Sequence, residues 1–224
     1  MADRPGLKTL SWRARSIVDS YGTWIDVPDI SSWRQAWATE CGVPSTVLDR
    51  VEAFQARWGG LVLPPLPGDC GYDGGPAVLS ADLPERVPGA TAAAWWFEAG
   101  SPRTALPFSF GIGPDGSFGL AMDSWVPLHR SVEGWIEAVA LALAAVEEAK
   151  EICRYSGDDV AKVDLTGMEP VAETAGLADT WWYRPGRLVA LYTGAAELFG
   201  RSGYREASVY TGVAPGVVNT QRSS

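Results

Sequence analysis

The sequence predicts an α+β fold: a mixed or antiparallel sheet with helices packed around it, followed by a C-terminal β extension. Three observations lead there. Helical periodicity is confined to the segments before residue 60 and to one long segment after Ser131. Between these, short apolar runs are broken repeatedly by Pro, Gly and Asp, as in strands joined by turns. Near the C-terminus, Arg184-Pro-Gly-Arg187 separates two apolar runs and reads as a hairpin.

Trp12–Tyr21 reads as a short helix closed by Gly22. Ser32 is placed to cap a second, with Trp33, Ala36, Trp37 and Glu40 following until Gly42 and Pro44 stop it. In the third, Ser45 is the expected N-cap. Val47, Leu48, Val51, Phe54 and Trp58 recur at helical spacing, and Gly59-Gly60 ends it. The longest helix is expected to start after Ser131, with Glu133 in the first turn, where the helix dipole favours a negative charge. Val132, Trp135, Ile136, Val139, Leu143 and Val146 make one apolar stripe, the face predicted to cover the sheet. Strands are expected at Ala77–Leu79, Ala93–Glu98, Pro107–Ile112, Ser117–Met122, Trp125–Leu128, Asp159–Leu165, Thr180–Tyr183, Leu188–Tyr192 and Ala207–Val213. Leu63–Pro76 is too rich in Pro and Gly for regular structure and reads as a long connection. Residues 1–155 form the expected α+β core, and 156–224 are strands packed on the same domain. The segment from Leu165 onward has too few elements for a core of its own.

A net charge of -9 repels nucleic acid and anionic membrane surfaces and favours a protein partner with a basic surface. The apolar run Ala138–Val146 is far short of the ~20 residues a membrane-spanning helix needs. Three cysteines without CxxC spacing, and no apolar stretch behind the N-terminus, lead to the expectation of reduced thiols and a cytoplasmic protein.

No set of catalytic residues emerges. Gly111-Ile-Gly-Pro-Asp-Gly116 satisfies G-x-G-x-x-G, but a strand-like segment follows where a dinucleotide fingerprint needs a helix, so it reads as a hairpin turn. His129 is the only histidine and reads as a neutral surface residue at a helix start. There is no G-x-S-x-G, no P-loop and no H-E-x-x-H. Asp158-Asp159 and Glu147-Glu148 read as solvated surface rather than a carboxylate dyad. No cofactor and no metal are expected. The chain does carry 11 tryptophans. Adjacent pairs such as Trp95-Trp96 and Trp181-Trp182 in strands place their rings on opposite faces, and tryptophans left outside the core are natural interface anchors.

The helix ending Phe54-Gln-Ala-Arg-Trp-Gly-Gly-Leu61 is followed by a proline-rich passage and then by Pro107-Phe-Ser-Phe-Gly-Ile-Gly-Pro-Asp-Gly-Ser-Phe-Gly-Leu120. A closing helix begins Leu128-His-Arg-Ser-Val-Glu-Gly-Trp-Ile. This succession, over about residues 30–145, resembles the SUKH superfamily of SMI1/KNR4-like proteins. The resemblance implies an α+β domain without catalytic residues. For a bacterial member it implies an immunity-type protein that neutralises a toxin by direct contact; for fungal relatives, a regulatory scaffold. A small-molecule-binding or enzymatic role in a biosynthetic pathway is the remaining alternative. Taken with the charge, the resemblance points to an acidic, aromatic working surface: Asp69, Tyr72 and Asp73 in the long connection, and Glu98, Asp123 and Trp125 at strand ends.

Overall fold

The structure, a computed structural model, describes residues 5–65, 75–87 and 94–218. Ser11 opens α1 (Trp12–Tyr21) by accepting from the Ala14 amide at 3.1 Å, and Gly22 closes it, as the sequence predicts. The second helix is built differently from the expectation. Asp29 rather than Ser32 caps a 3-10 turn (Ile30–Trp33), its carboxylate accepting from Ser31 N at 2.9 Å, and α2 (Arg34–Glu40) continues from that turn. The Asp29 carboxylate takes the Ser31 amide at the start of the turn, so the cap lies three residues before Ser32. α3 (Ser45–Trp58) buries Val47, Leu48, Val51, Phe54 and Trp58, the predicted face, while Pro44 takes the cap position and leaves Ser45 inside the helix. β1 (Thr23–Trp24) and β2 (Leu61–Val62) pair as a short antiparallel ribbon.

The first sheet is an antiparallel meander of β3 (Pro84–Arg86), β4 (Trp95–Gly100), β5 (Ser109–Ile112), β6 (Phe118–Ala121) and β7 (Trp125–His129), in chain order across the sheet. Side chains alternate faces, so Phe97, Phe110, Ile112, Phe118, Leu120, Val126 and Leu128 all enter the core. Phe54 of α3 meets Phe97 edge-on with ring centroids 5.5 Å apart. Residues 111–116 form the expected turn. Gly113 N donates to Ser117 O at 2.8 Å, and Gly116 takes φ +87, a conformation open to glycine. Ala77–Leu79 is not a strand: its amides are divided, Ala77 donating to Ser101 O and Leu79 to Leu61 O. The segment thus bridges the ribbon and the meander.

α4 (Val132–Glu148) begins at Ser131, whose hydroxyl accepts from Gly134 N at 3.2 Å. Its predicted stripe is buried at Val132, Trp135, Ile136 and Val139. A single stripe nevertheless understates the helix, because Ala138, Ala140, Leu141, Ala142 and Ala145 are buried as well. α4 is enclosed rather than laid on a surface, with α1 along one side. Trp135 stacks on Phe118 at 5.0 Å, which joins α4 to the meander.

The C-terminal β extension is a second five-stranded antiparallel sheet. Its order is β8 (Glu151–Ser156), β12 (Glu206–Val213), β11 (Gly186–Tyr192), β10 (Asp179–Arg184) and β9 (Glu169–Pro170). The predicted hairpin is present: Arg184 pairs with Arg187 around Pro185 and a Gly186 at φ +79. Asp159–Leu165 is not a strand. Gly157 at φ +58 ends β8, and Gly157–Lys162 winds into 3-10 turns with Asp158 and Asp159 in the first turn. The strand lies just upstream, so a division at residue 155 falls inside β8. α5 (Gly194–Phe199) starts where the buried Asp179 carboxylate accepts from Thr193 N at 3.0 Å and Gly194 N at 3.1 Å. α4 touches both β7 and β12, and buried residues of both sheets belong to one continuous core.

A core shared in this way is expected to unfold in one transition. Limited proteolysis checks this, since a separately folded fragment ending near residue 155 would contradict it. Trp135→Ala is expected to cost about 3–5 kcal/mol, the range for large aromatic truncations in a core, measurable by urea unfolding.

Candidate binding face of the first sheet

The meander has two faces, and register decides what each carries. Glu98 lies opposite Gly111, Gly111 opposite Gly119, and Gly119 opposite Pro127. Trp125 lies opposite Ala121, and Ala121 opposite Ser109. These positions alternate with the core residues and therefore share the outer face, which also receives Trp96, two residues from Glu98.

Glycines form the floor of this face. A Cβ at Gly111 would stand 2.8 Å from Trp96 Cε3 and 3.1 Å from Trp125 Cζ3; one at Gly113 would stand 2.9 Å from Trp125 Cζ2. The missing side chains let both indoles lie down on the sheet, with ring centroids 6.5 Å apart and planes inclined by 31°. Trp96 is almost covered and Trp125 half-exposed. Beside them both Glu98 carboxylate oxygens are held, one accepting from Ser101 Oγ at 2.8 Å and the other from Ser109 Oγ at 2.9 Å. Glu85, opposite Trp96, is exposed. Arg86, opposite Trp95, alternates to the other face, its guanidinium 5.1 Å from the Trp95 ring centroid. Asp123 is exposed in the turn between β6 and β7. Within the paired register of this face, among the described residues, there are two carboxylates and no lysine or arginine.

Of the residues expected to form the working surface, Glu98 and Trp125 thus come together, with Asp123 at the rim. Asp69, Tyr72 and Asp73 lie outside the described residues. Glu85 was not singled out by sequence, and Trp96 was identified only as one of an adjacent pair whose rings point to opposite faces. The available signal was a period of two: Trp96 and Glu98 alternate with apolar residues, as do Gly111 and Gly113.

His129 is not at the surface. It is 2% exposed, and its Nδ1 lies 2.8 Å from Thr174 O. The 172–176 segment covers the outer edge of β7, with Arg130 N donating to Ala175 O, and this encloses the ring. Burial pushes the imidazole down to about 4, against a smaller upward pull from the Thr174 carbonyl, so it is neutral near pH 7. No cluster of His, Cys, Asp and Glu among the described residues is arranged to hold a metal ion, and no described helix is long and apolar enough to cross a membrane. Cys41 is exposed and Cys153 half-buried, both as free thiols. Compared with known proteins, the chain matches no family model, no curated protein and no solved structure.

The lowered His129 value has a measurable consequence. Between about pH 6.5 and 4 the unfolded chain binds a proton that the folded chain refuses, so stability falls as the solution is acidified through that window. From pH 6.5 to 5 the loss is expected to be about 1.6 kcal/mol, the slope rising from half of about 1.36 kcal/mol per pH unit at pH 6.5 toward the full value. Urea unfolding at a series of pH values checks this, and His129→Asn should flatten the slope in that interval.

Proposed function

We propose that this chain is a non-catalytic binding protein whose working surface is the outer face of the meander, and whose partner is a protein with a basic surface. The observation that carries the reading is the acidic, aromatic character of that face: Trp96 and Trp125 flat on a glycine floor, flanked by Glu98 and Glu85 with no cation in register. Pre-positioned tryptophans give large contact area at little entropic cost on binding. A carboxylate already held by two serines needs no reordering to meet a lysine or arginine. The net charge of -9 adds long-range steering toward a basic surface. The sequestered His129 supports the non-catalytic part of the reading, since the only imidazole is bonded to a backbone carbonyl inside the core.

The resemblance over residues 30–145 makes toxin neutralisation the specific form of this binding, with the partner a toxin domain that the contact blocks. In this reading the protein works from a cytoplasmic location, close to where the toxin acts.

The test compares capture from lysate of the native host by the wild-type chain and by a Glu98→Lys, Asp123→Lys, Trp125→Ala variant, with captured proteins identified by mass spectrometry. A basic protein retained by the wild type, lost by the variant and associating more slowly as salt rises is the expected result, because exposed charges are screened beyond ~10 Å at 0.1 M salt. Added wild-type chain should also suppress that protein's own activity. A partner held equally by both chains would remove this face from the reading.

A further inference from the structure

A concavity of about 430 Å³ opens on the far side of α5, between that helix, the 3-10 turns of 157–162 and a short 3-10 turn at Ser202–Tyr204. Its size lies within the usual range of small-molecule sites, roughly 300–1,000 Å³. Backbone bonds hold its walls together. Gly200, at φ +61, reverses the chain at the end of α5, and Arg201 N donates to Ala196 O at 3.0 Å. Arg205 N donates to Ser202 O at 3.0 Å, while Gly157 N donates to Arg205 O at 2.8 Å, which ties the opposite wall to this turn.

The lining is two-sided. Val160, Ala161 and Ala196 supply an apolar surface, and Ser202, Arg201 and Arg205 supply donors. One carboxylate, Glu197, is also present and accepts from the Thr193 hydroxyl at 2.9 Å. Arg201 and Arg205 are both exposed, and neither forms an ion pair with a described carboxylate. Two exposed guanidinium groups on the wall of one concavity are available to an incoming anion, and guanidinium geometry suits a two-oxygen acceptor.

We propose that this concavity is a binding site for a small molecule carrying an oxyanion, a carboxylate or phosphate, on a compact apolar body. Arg201 and Arg205 engage the oxyanion, Ser202 adds a hydroxyl donor, and Val160, Ala161 and Ala196 receive the apolar part. The site shares no residue with the outer face of the meander, so either can fail without the other.

The experiment is a ¹H–¹⁵N titration of the full chain with sodium pyrophosphate and, separately, sodium succinate, each matched in ionic strength by sodium chloride. Saturable shifts at residues 160–161 and 201–205 with at least one probe are expected, and the probe that saturates identifies the oxyanion as phosphate or carboxylate. Arg201→Gln combined with Arg205→Gln should weaken binding at least tenfold while leaving the rest of the spectrum in place. Glu197→Gln should tighten it severalfold by removing the negative charge from the wall, an effect that a purely structural role would not produce. Shifts that follow ionic strength alone, that map elsewhere, or that survive the double arginine substitution would overturn the proposal.

Discussion

A carboxylate enclosed among helices must find its hydrogen-bond donors inside the protein, and Glu137 finds them at the start of the chain. Ser11 offers its amide at 2.5 Å and its hydroxyl at 2.7 Å, and an Arg13 nitrogen lies at 3.4 Å. The other terminal nitrogen of Arg13 donates to Val217 O at 2.5 Å, near the end of the described chain. One side chain in the middle of α4 therefore anchors the first turn of α1 and, through a buried guanidinium, the residues after β12. Burial pulls Arg13 below its ordinary value while the Glu137 charge opposes the shift. Breaking such a pair from one side costs about 3–5 kcal/mol, a large part of the 5–15 kcal/mol that holds a typical domain folded.

The enclosure that makes Glu137 depend on Ser11 and Arg13 also explains the composition of α4. Alanines at 138, 140, 142 and 145 and glycine at 134 bring neighbouring elements close, and a Cβ at Gly134 would stand 2.7 Å from Thr174 O. That approach places the 172–176 segment over the edge of β7 and shuts His129 away from water. The same constraint divides the first sheet. Its inner face is filled by contacts with α3 and α4, so of its two faces the outer one is left open among the described residues. There the glycine floor lets tryptophans cover the sheet while remaining partly available.

Much of the fold was legible in local sequence. The limits of α1, the buried face of α3, the Ser131 cap, the 111–116 turn and the 184–187 hairpin all follow from residues within a few positions of one another. The candidate face was only partly legible. Glu98 and Trp125 were identified as polar and aromatic residues at strand ends, but their union with Trp96 required the register of four strands. His129 was misplaced because the segment that covers it lies 45 residues away. The strand expected at 159–165 failed because Gly157 ends β8 early, and an apolar run after a glycine reads equally well as either structure.

What the sequence determined by itself were features set by short-range physics: the helical segments, most of the strands, the Ser131 cap, the 111–116 and 184–187 turns, the sign of the overall charge, and the α+β class. What the tertiary structure decided was enclosure and facing. That α4 is buried on several sides, that the C-terminal strands form a sheet of their own, and that two tryptophans share an open face with Glu98 all depend on contacts between distant residues. Ser11 and Glu137 stand 126 positions apart. Periodicity reports that a face is apolar, but not how many neighbours will close around it, because that number is fixed only when the remote elements pack.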